Sequence, residues 1–351
     1  MNPSAASPIE AAIVAVPETG GGALYGMLDM LSAAGTLWSD LVGTTEQRPV
    51  FRPRVVACRR DAFRCTHGVP VVPDHSIEDG LAPAIVVVPE LWQPPGTGLT
   101  DPYPELGSWL RARHAAGSRI YASCTGAILL AASGLLDGRS ATSHWAYEGH
   151  FHERFAAVDF VSGSSLVAAD PEGRIVTASG STSWQDLALH IVARHGGAEE
   201  ALRLAKGSLL RWHEDGQRPY TSLVRRRDHD DAVVAAVEGW LEGNFAEDDA
   251  LGGAVAFSSL AERTLKRRFK RATGASLIER LQALRIEEAK RRLETGTEPV
   301  EDISLAVGYE NTSFFGRLFK RLTGTTPGTY RRMFRPIARA GDMPLPARPQ
   351  S

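Results

Sequence analysis

Cys124 lies in the run Arg119-Ile-Tyr-Ala-Ser-Cys-Thr-Gly-Ala127, whose pattern predicts a strand, a sharp turn and a helix, the arrangement of a nucleophile elbow. A thiol there stands at a helix N-terminus, where backbone N–H groups and the macrodipole favour the thiolate. Gly126 keeps the turn uncrowded. Downstream, His144 and Trp145 supply an imidazole and an indole, and Thr177-Ala-Ser-Gly180 precedes a helix containing Trp184 and Asp186. Three readings of Cys124 fit these residue types: a nucleophile with His144 as its base, the lining of a ligand pocket, or an inert packed cysteine. His144 and Trp145 fit a pocket or a packed pair, and Asp186 fits the first turn of its own helix. Trp92 and the Pro94-Pro95 loop follow an apolar strand. Open α/β sheets hold ligands at strand C-terminal ends, so Trp92 is a candidate contact.

A second chemistry sits near the other end. In Ile303–Arg331 a short helix (Val300–Val307) is expected to stop at Gly308, and Asn311 can cap a second helix running to about Leu322. Phe315, Leu318, Phe319 and Leu322 make its apolar face. Thr312, Ser313, Gly316, Arg317 and Lys320 lie on the other side. Two helices joined by a short turn, the second presenting polar and cationic groups, is helix-turn-helix geometry for the major groove of double-stranded DNA. Arg317 can bond two acceptors on guanine, whereas Lys320 and Arg321 suit phosphates. About fifty residues earlier the pattern recurs. Leu265, Phe269 and Thr273-Gly274 correspond to Phe315, Phe319 and Thr323-Gly324, and Arg267 to Arg317. The polar side of this first copy carries Arg263, Lys266, Arg267 and Lys270. A long helix, Leu277–Leu293, links the copies and would set two reading helices at the spacing of successive grooves, about 34 Å.

The elements that must position these groups change character along the chain. Short β-branched runs (Ala11–Val16, Arg54–Cys58, Ala84–Pro89, Arg119–Ser123, Arg174–Ser179) alternate with helical stretches (Ala23–Leu37, Leu106–Ala116, Thr125–Leu136, Trp184–His195). Runs such as Ala84-Ile-Val-Val-Val88 are apolar throughout, as strands buried on both faces are. The expectation is an α/β domain, mainly parallel sheet with helices on both faces, over residues 1–200. Residues 201–230, with Gly216, Pro219 and Arg225-Arg226-Arg227-Asp228, read as a linker. An all-α double helix-turn-helix domain over 231–335 follows, then a disordered Pro- and Ala-rich tail, 336–351.

Charge divides along the same line. From Phe257 to Arg335 there are 17 Lys and Arg against 9 Asp and Glu, a net +8, which leaves −10 for the rest of a chain of net charge −2. One part is suited to a polyanion and the other is not. Cys58, Cys65 and Cys124 are odd in number and widely spaced, with no metal-type pairing, so no metal or cofactor is expected. With no basic leader and no run of 18 apolar residues, the expectation is a soluble, cytoplasmic protein without membrane contact.

The C-terminal motifs resemble the AraC/XylS family of regulators. The matching residues are Arg285 and Ala289, then Ile303, Ala306, Val307, Gly308, Tyr309, Ser313, Phe315, Arg317, Phe319, Gly324, Pro327, Tyr330 and Arg331. Departures cluster in the first copy: Ala254-Val255 for the usual Leu-Ala, Ala261 for a capping Ser, and Leu277 for a Pro. Over roughly residues 9–197 the chain is similar to the PfpI-like branch of the class I glutamine-amidotransferase superfamily, and more narrowly to regulators that join such a domain to an AraC-type reader. That resemblance implies a transcription regulator, not an enzyme, sensing a small effector (an amino acid or quaternary-amine derivative) in a degenerate catalytic pocket of Glu18, Trp92, Cys124, Thr125, His144 and Trp145. Thr125 stands where the superfamily's hydrolases place a His, and Glu18 stands in the loop from which members present a carboxylate. A homodimer is expected, since paired sites raise specificity through effective concentration. The alternative is a cysteine-dependent amidase or hydratase-type enzyme with a C-terminal docking or DNA-binding module.

Overall fold

The computed structural model describes residues 7–45, 47–94, 103–224 and 229–338. Pro95, the Arg225–Asp228 run and tail residues 339–351 lie outside the described residues. Two units are present, Met1–Gln217 and Arg218–Ser351.

The first unit begins β1 (Ile9–Val14), α1 (Gly21–Ala33), α2 (Leu37–Val42) and β2 (Phe51–Ala57), followed by the short strands β3 (Phe63–Arg64), β4 (Pro70–Val71) and β5 (His75–Ser76). Next come β6 (Ile85–Val88), α3 (Pro104–Ala115), β7 (Arg119–Ser123), α4 (Gly126–Ala132), β8 (Ser140–Ala141) and α5 (Glu148–Arg154). The unit closes with β9 (Asp159–Phe160), β10 (Leu166–Ala168), β11 (Ile175–Ala178), α6 (Trp184–Gly196) and α7 (Ala198–Gly207). Seven strands form one sheet in the order β10-β11-β7-β6-β1-β2-β5, parallel at every step except β10 against β11. Side chains alternate between its faces. Ala12, Val14, Val86, Val88 and Ile120 pack with Leu106, Leu110 and Ile128 of α3 and α4. Ile13, Ile85, Val87, Tyr121 and Val176 pack with Leu24, Leu31, Leu187 and Ile191 of α1 and α6. Both faces are covered, so the strands read as apolar throughout.

The linker begins later than its composition suggests. Leu204 of α7 is buried in the core of the first unit. The backbone of His213 accepts from Ser165 Oγ at 2.6 Å, and Gln217 N donates to Gly163 O at 3.2 Å. Residues 201–217 are therefore fastened to the α/β unit by contacts between segments distant in sequence.

The second unit is helical: α8 (Ala232–Asn244), α9 (Ala250–Ser258), α10 (Glu262–Thr273), α11 (Leu277–Thr295), α12 (Val300–Ala306), α13 (Thr312–Thr323) and α14 (Pro327–Ala338). The last helix takes in Pro336 and runs to Ala338, so the tail begins later than expected. Two small cores share α11. Its first half (Leu277, Leu281, Leu284) packs with Val234, Leu241, Leu265 and Phe269. Its second half (Ile286, Ala289, Leu293) packs with Ile303, Phe315, Phe319 and Tyr330. At the junction Arg285 is buried, and its guanidinium donates to Phe245 O at 2.7 Å, Glu247 O at 2.8 Å and Gly308 O at 2.7 Å. No helix among the described residues is long and apolar enough to cross a membrane.

Arg285→Met keeps the apolar stem and removes the fork, leaving three carbonyls without their donor. The expected loss is about 3 kcal/mol of helical-unit stability, since bonds to charged groups are the stronger class. Calorimetry of the full chain reads this as a lowered transition; an unshifted profile would contradict the bridging role.

Candidate functional site

The order of strands reverses direction between β1 and β6, and open parallel sheets bind ligands at the C-terminal edge of such a reversal. The loops leaving β1 and β6 meet there. Thr19 and Leu91 form an isolated bridge, Trp92 N donates to Glu18 O at 2.6 Å, and Gly20 N donates to Glu90 O at 3.0 Å. The Glu18 carboxylate accepts from Tyr103 Oη at 2.5 Å. Burial and that carboxylate push the Tyr103 hydroxyl well above its ordinary range. Tyr103 also lines a cleft of about 230 Å³ with Val16, Pro17, Cys58 and Phe63.

Cys124 leaves β7 with φ 54°, the left-handed region a β-carbon disfavours, and its N–H donates to Ala178 O at 2.9 Å. This is the strand–turn–helix elbow read from sequence. Gly126 is required by contact, because a β-carbon there would stand 2.4 Å from Val88 O and 2.5 Å from Pro89 O. Thr125 is buried, donates to Leu91 O at 2.6 Å and accepts from Leu91 N at 2.8 Å. Its hydroxyl thus ties the β6 loop to the elbow rather than offering a group to a ligand.

Ser143 Oγ donates to Cys124 O at 2.8 Å, which draws the loop after β8 onto the elbow. His144 Nδ1 accepts from Ala146 N at 3.0 Å, its ring lies 5.0 Å from that of Trp145, and it flanks Gly180. Both side chains are half-buried, and Trp92 is half exposed. Tyr147 was missed by the sequence reading. Burial pushes its hydroxyl up to about 12, with charge on Cys124 and Glu90 acting in the same direction. Asp186 stands in the first turn of its helix, as read, and also reaches across the fold. It is buried, with Oδ2 3.0 Å from His213 Nδ1, and burial holds its carboxyl above the usual range although His213 opposes this.

Gln217 has no motif to announce it. Its Nε2 donates to Ser143 O and its Oε1 accepts from Trp145 N, both at 2.9 Å. The residues that follow hold the linking helix of the second unit. Lys290 Nζ donates to Thr221 O at 2.8 Å and Leu223 N donates to the Glu287 carboxylate at 3.0 Å. Leu223 packs on the second helical core and Val224 on the first.

In that unit the duplicated pattern has a duplicated geometry. Thr273 Oγ1 donates to Phe269 O at 2.9 Å and Thr323 Oγ1 to Phe319 O at 2.8 Å, with Gly274 and Gly324 at φ 78° and 82°. Asn311 accepts from Phe314 N at 2.8 Å, capping α13 as expected, whereas Ala261 provides no side-chain cap for α10. Arg263, Lys266, Arg267 and Lys270 are exposed on α10, and Ser313, Arg317 and Lys320 on α13; Thr312 and Gly316 are half-buried. Lys266 pairs with Glu262. Arg321, read as a phosphate contact, bonds Gln282 of α11 at 3.2 Å.

Residues 44–194 match the DJ-1/PfpI family, and residues 256–333 match the family described as Helix-turn-helix domain. The chain joins a DJ-1/PfpI domain to an AraC-type helix-turn-helix domain. Among curated relatives, the HTH-type transcriptional regulator GlxA of Rhizobium meliloti is 26% identical over 225 residues, 64% of this chain and 68% of that protein. The HTH-type transcriptional regulator CdhR of Pseudomonas aeruginosa is 27% identical over 227 residues, 64% and 66% of the two chains. Among solved structures, the DJ-1/PfpI domain matches Drosophila melanogaster DJ-1beta with a TM-score of 0.47 and 22% identity, covering 59% of this chain and 100% of that one.

Gly126→Ala should destabilise the DJ-1/PfpI domain by at least 2 kcal/mol, because both blocking atoms are backbone oxygens of the neighbouring strand end. Chemical denaturation measures it; wild-type stability would show that the elbow has room to relax.

Proposed function

We propose that the chain is a sequence-specific DNA-binding transcription regulator whose DJ-1/PfpI domain holds a small effector and does not turn it over. The observation that carries this reading is the pair of cationic helices, α10 and α13, exposed on two cores built around one shared helix. In this reading Arg263, Lys266, Arg267, Lys270, Thr312, Ser313, Gly316, Arg317 and Lys320 face DNA. Arg267 and Arg317 read bases, and the lysines meet phosphates.

The effector site lies over the sheet reversal, among Glu18, Trp92, Cys124, His144 and Trp145, with Glu90 and Tyr147 beside them. Carboxylates next to aromatic faces suit an ammonium, so the proposed effector is an amino acid or quaternary amine. Thr125 serves this site from behind, through Leu91. Signalling in this proposal runs through hydrogen bonds: an effector that shifts residues 143–145 alters their grip on Gln217, and the next residues clamp α11 between the two readers. Such coupling is reciprocal. Two copies on paired half-sites complete the proposal. A second reading, a Cys124-dependent enzyme, is compatible with the same elbow geometry. It predicts that Cys124→Ser abolishes all function, where a sensor loses only its response.

Binding to its own upstream DNA should weaken steeply with salt, as counterion release requires. Arg317→Ala should cost about 1–3 kcal/mol and relax preference at one base pair, while Lys320→Ala weakens all sequences alike. Selection of binding sites from random DNA checks both, and an unaltered preference in Arg317→Ala would refute its base-reading role.

Thermal-shift screening against amino acids and betaines should find a compound that stabilises the chain by about 2.7 kcal/mol at a hundredfold excess over its Kd. With Gln217→Ala the same compound should still raise the Tm but no longer change DNA affinity. Retained coupling in that variant would rule out this route.

A further inference from the structure

We propose that Phe314 reads the 5-methyl group of a thymine, which makes it a specificity-determining residue beside Arg317. The inference rests on the DNA-reading role proposed for α13. That helix carries three phenylalanines: Phe315 and Phe319 are fully buried, whereas Phe314 is 43% exposed. Phe314 stands in the first turn, one residue after Ser313 and one turn before Arg317, both exposed. The other exposed side chains of α13 (Ser313, Arg317, Lys320 and Arg321) are polar or cationic, and α13 itself contains no Asp or Glu, the exposed Glu310 lying before its cap.

Its position is held. The Phe314 amide is bonded by the Asn311 cap, and the ring rests 5.8 Å from that of Tyr309, which lies 5.0 Å beneath the Arg285 guanidinium. A large apolar group presented rigidly among cations needs an apolar partner within a polyanion. The major groove edge offers one such group, the thymine methyl. The duplication adds a separate observation. In the register that pairs Leu265 with Phe315 and Arg267 with Arg317, Phe314 corresponds to Thr264, which is also exposed and offers an apolar γ-methyl group.

The test uses the full chain and the DNA site obtained by selection, with each thymine replaced singly by deoxyuridine, which removes only the methyl. Wild type should lose about fourfold in affinity at one position, the worth of one buried methyl group. Phe314→Ala should be indifferent at that position, and Phe314→Leu should recover part of the discrimination. Unaltered melting of the variants shows that they fold, as expected for a half-exposed side chain. The proposal is overturned if wild type tolerates every deoxyuridine, or if Phe314→Ala keeps the wild-type discrimination. It is also overturned if Phe314→Ala leaves binding and methyl discrimination intact and abolishes only transcription activation, which would assign the ring to a protein partner. Failure to bind any sequence specifically would sink the regulator reading itself. Intact discrimination through Arg317 without methyl dependence would sink only this inference.

Discussion

Everything in the helical unit depends on one buried cation. Burying a guanidinium is costly unless its donors are satisfied, and Arg285 satisfies them on three backbone carbonyls, of which Glu247 O also accepts from Ala250 N. Phe245 and Glu247 follow the end of α8, where helix carbonyls have no intrahelical donor, and Gly308 ends the turn before α13. Gly308, at φ 86°, is favoured as glycine by its backbone conformation and also by this contact, since a β-carbon there would lie 2.8 Å from Arg285 Cζ. One side chain therefore fastens the first helix-turn-helix copy, the second, and the helix they share. Nineteen residues of α11 span about 28 Å, of the order of one turn of a DNA duplex. Two loosely tethered readers would lose orientational freedom on binding DNA; two readers fixed to one rod lose it during folding.

The α/β unit solves a different problem, that of bringing polar loops together over a core that tolerates none. Loops from β1, β6, β7 and β11 meet at the C-terminal edge of the sheet, over the reversal between β1 and β6. The strain at Cys124 is held from outside the turn: Ala178 accepts its N–H, Ser143 donates to its carbonyl, and Thr125 pins the neighbouring loop through Leu91. A thiol so presented suits a nucleophile and a pocket wall equally, so elbow geometry alone does not decide between catalysis and sensing. The connection of the same loop to Gln217, at the last residue of the unit, is what weights the balance toward a signal.

The legible parts of this chain are those with a repeating local signal. The five long strands were read to within a few residues because burial on both faces leaves a run of apolar side chains, and the linking helix and both reading helices because their periods repeat. Strands of two or three residues (β3, β4, β5, β8, β9 and β10) are too short to show a period. Most of α7 falls in the stretch read as a linker on the strength of Gly216, Pro219 and the Arg225–Asp228 run, although its Leu204 is buried. Asp186 is legible only in part, for a related reason. Its position invites a role in its own helix, and nothing local reveals that His213, 27 residues on, returns to it. Gln217, Ser143 and Tyr147 owe their importance to contacts across the fold, which single-residue chemistry does not announce.

The two copies of the reader have diverged in a way their energetics explains. The first reading helix, α10, carries six Lys and Arg against one Glu and lacks a side-chain cap. The second, α13, carries three cations and no acid, and is capped by Asn311. Phosphate attraction is long-ranged and tolerant of side-chain position, so it asks for charge and little rigidity. Base reading asks for the reverse: few groups, set at fixed places along a helix whose first turn does not fray. Of the six cations on α10, Arg268 is diverted to Asp231 at the start of α8, leaving a cationic face still denser than that of α13. On the proposed reading, the first copy adds more of the affinity and the second more of the discrimination, while Arg267 and Arg317 both contact bases.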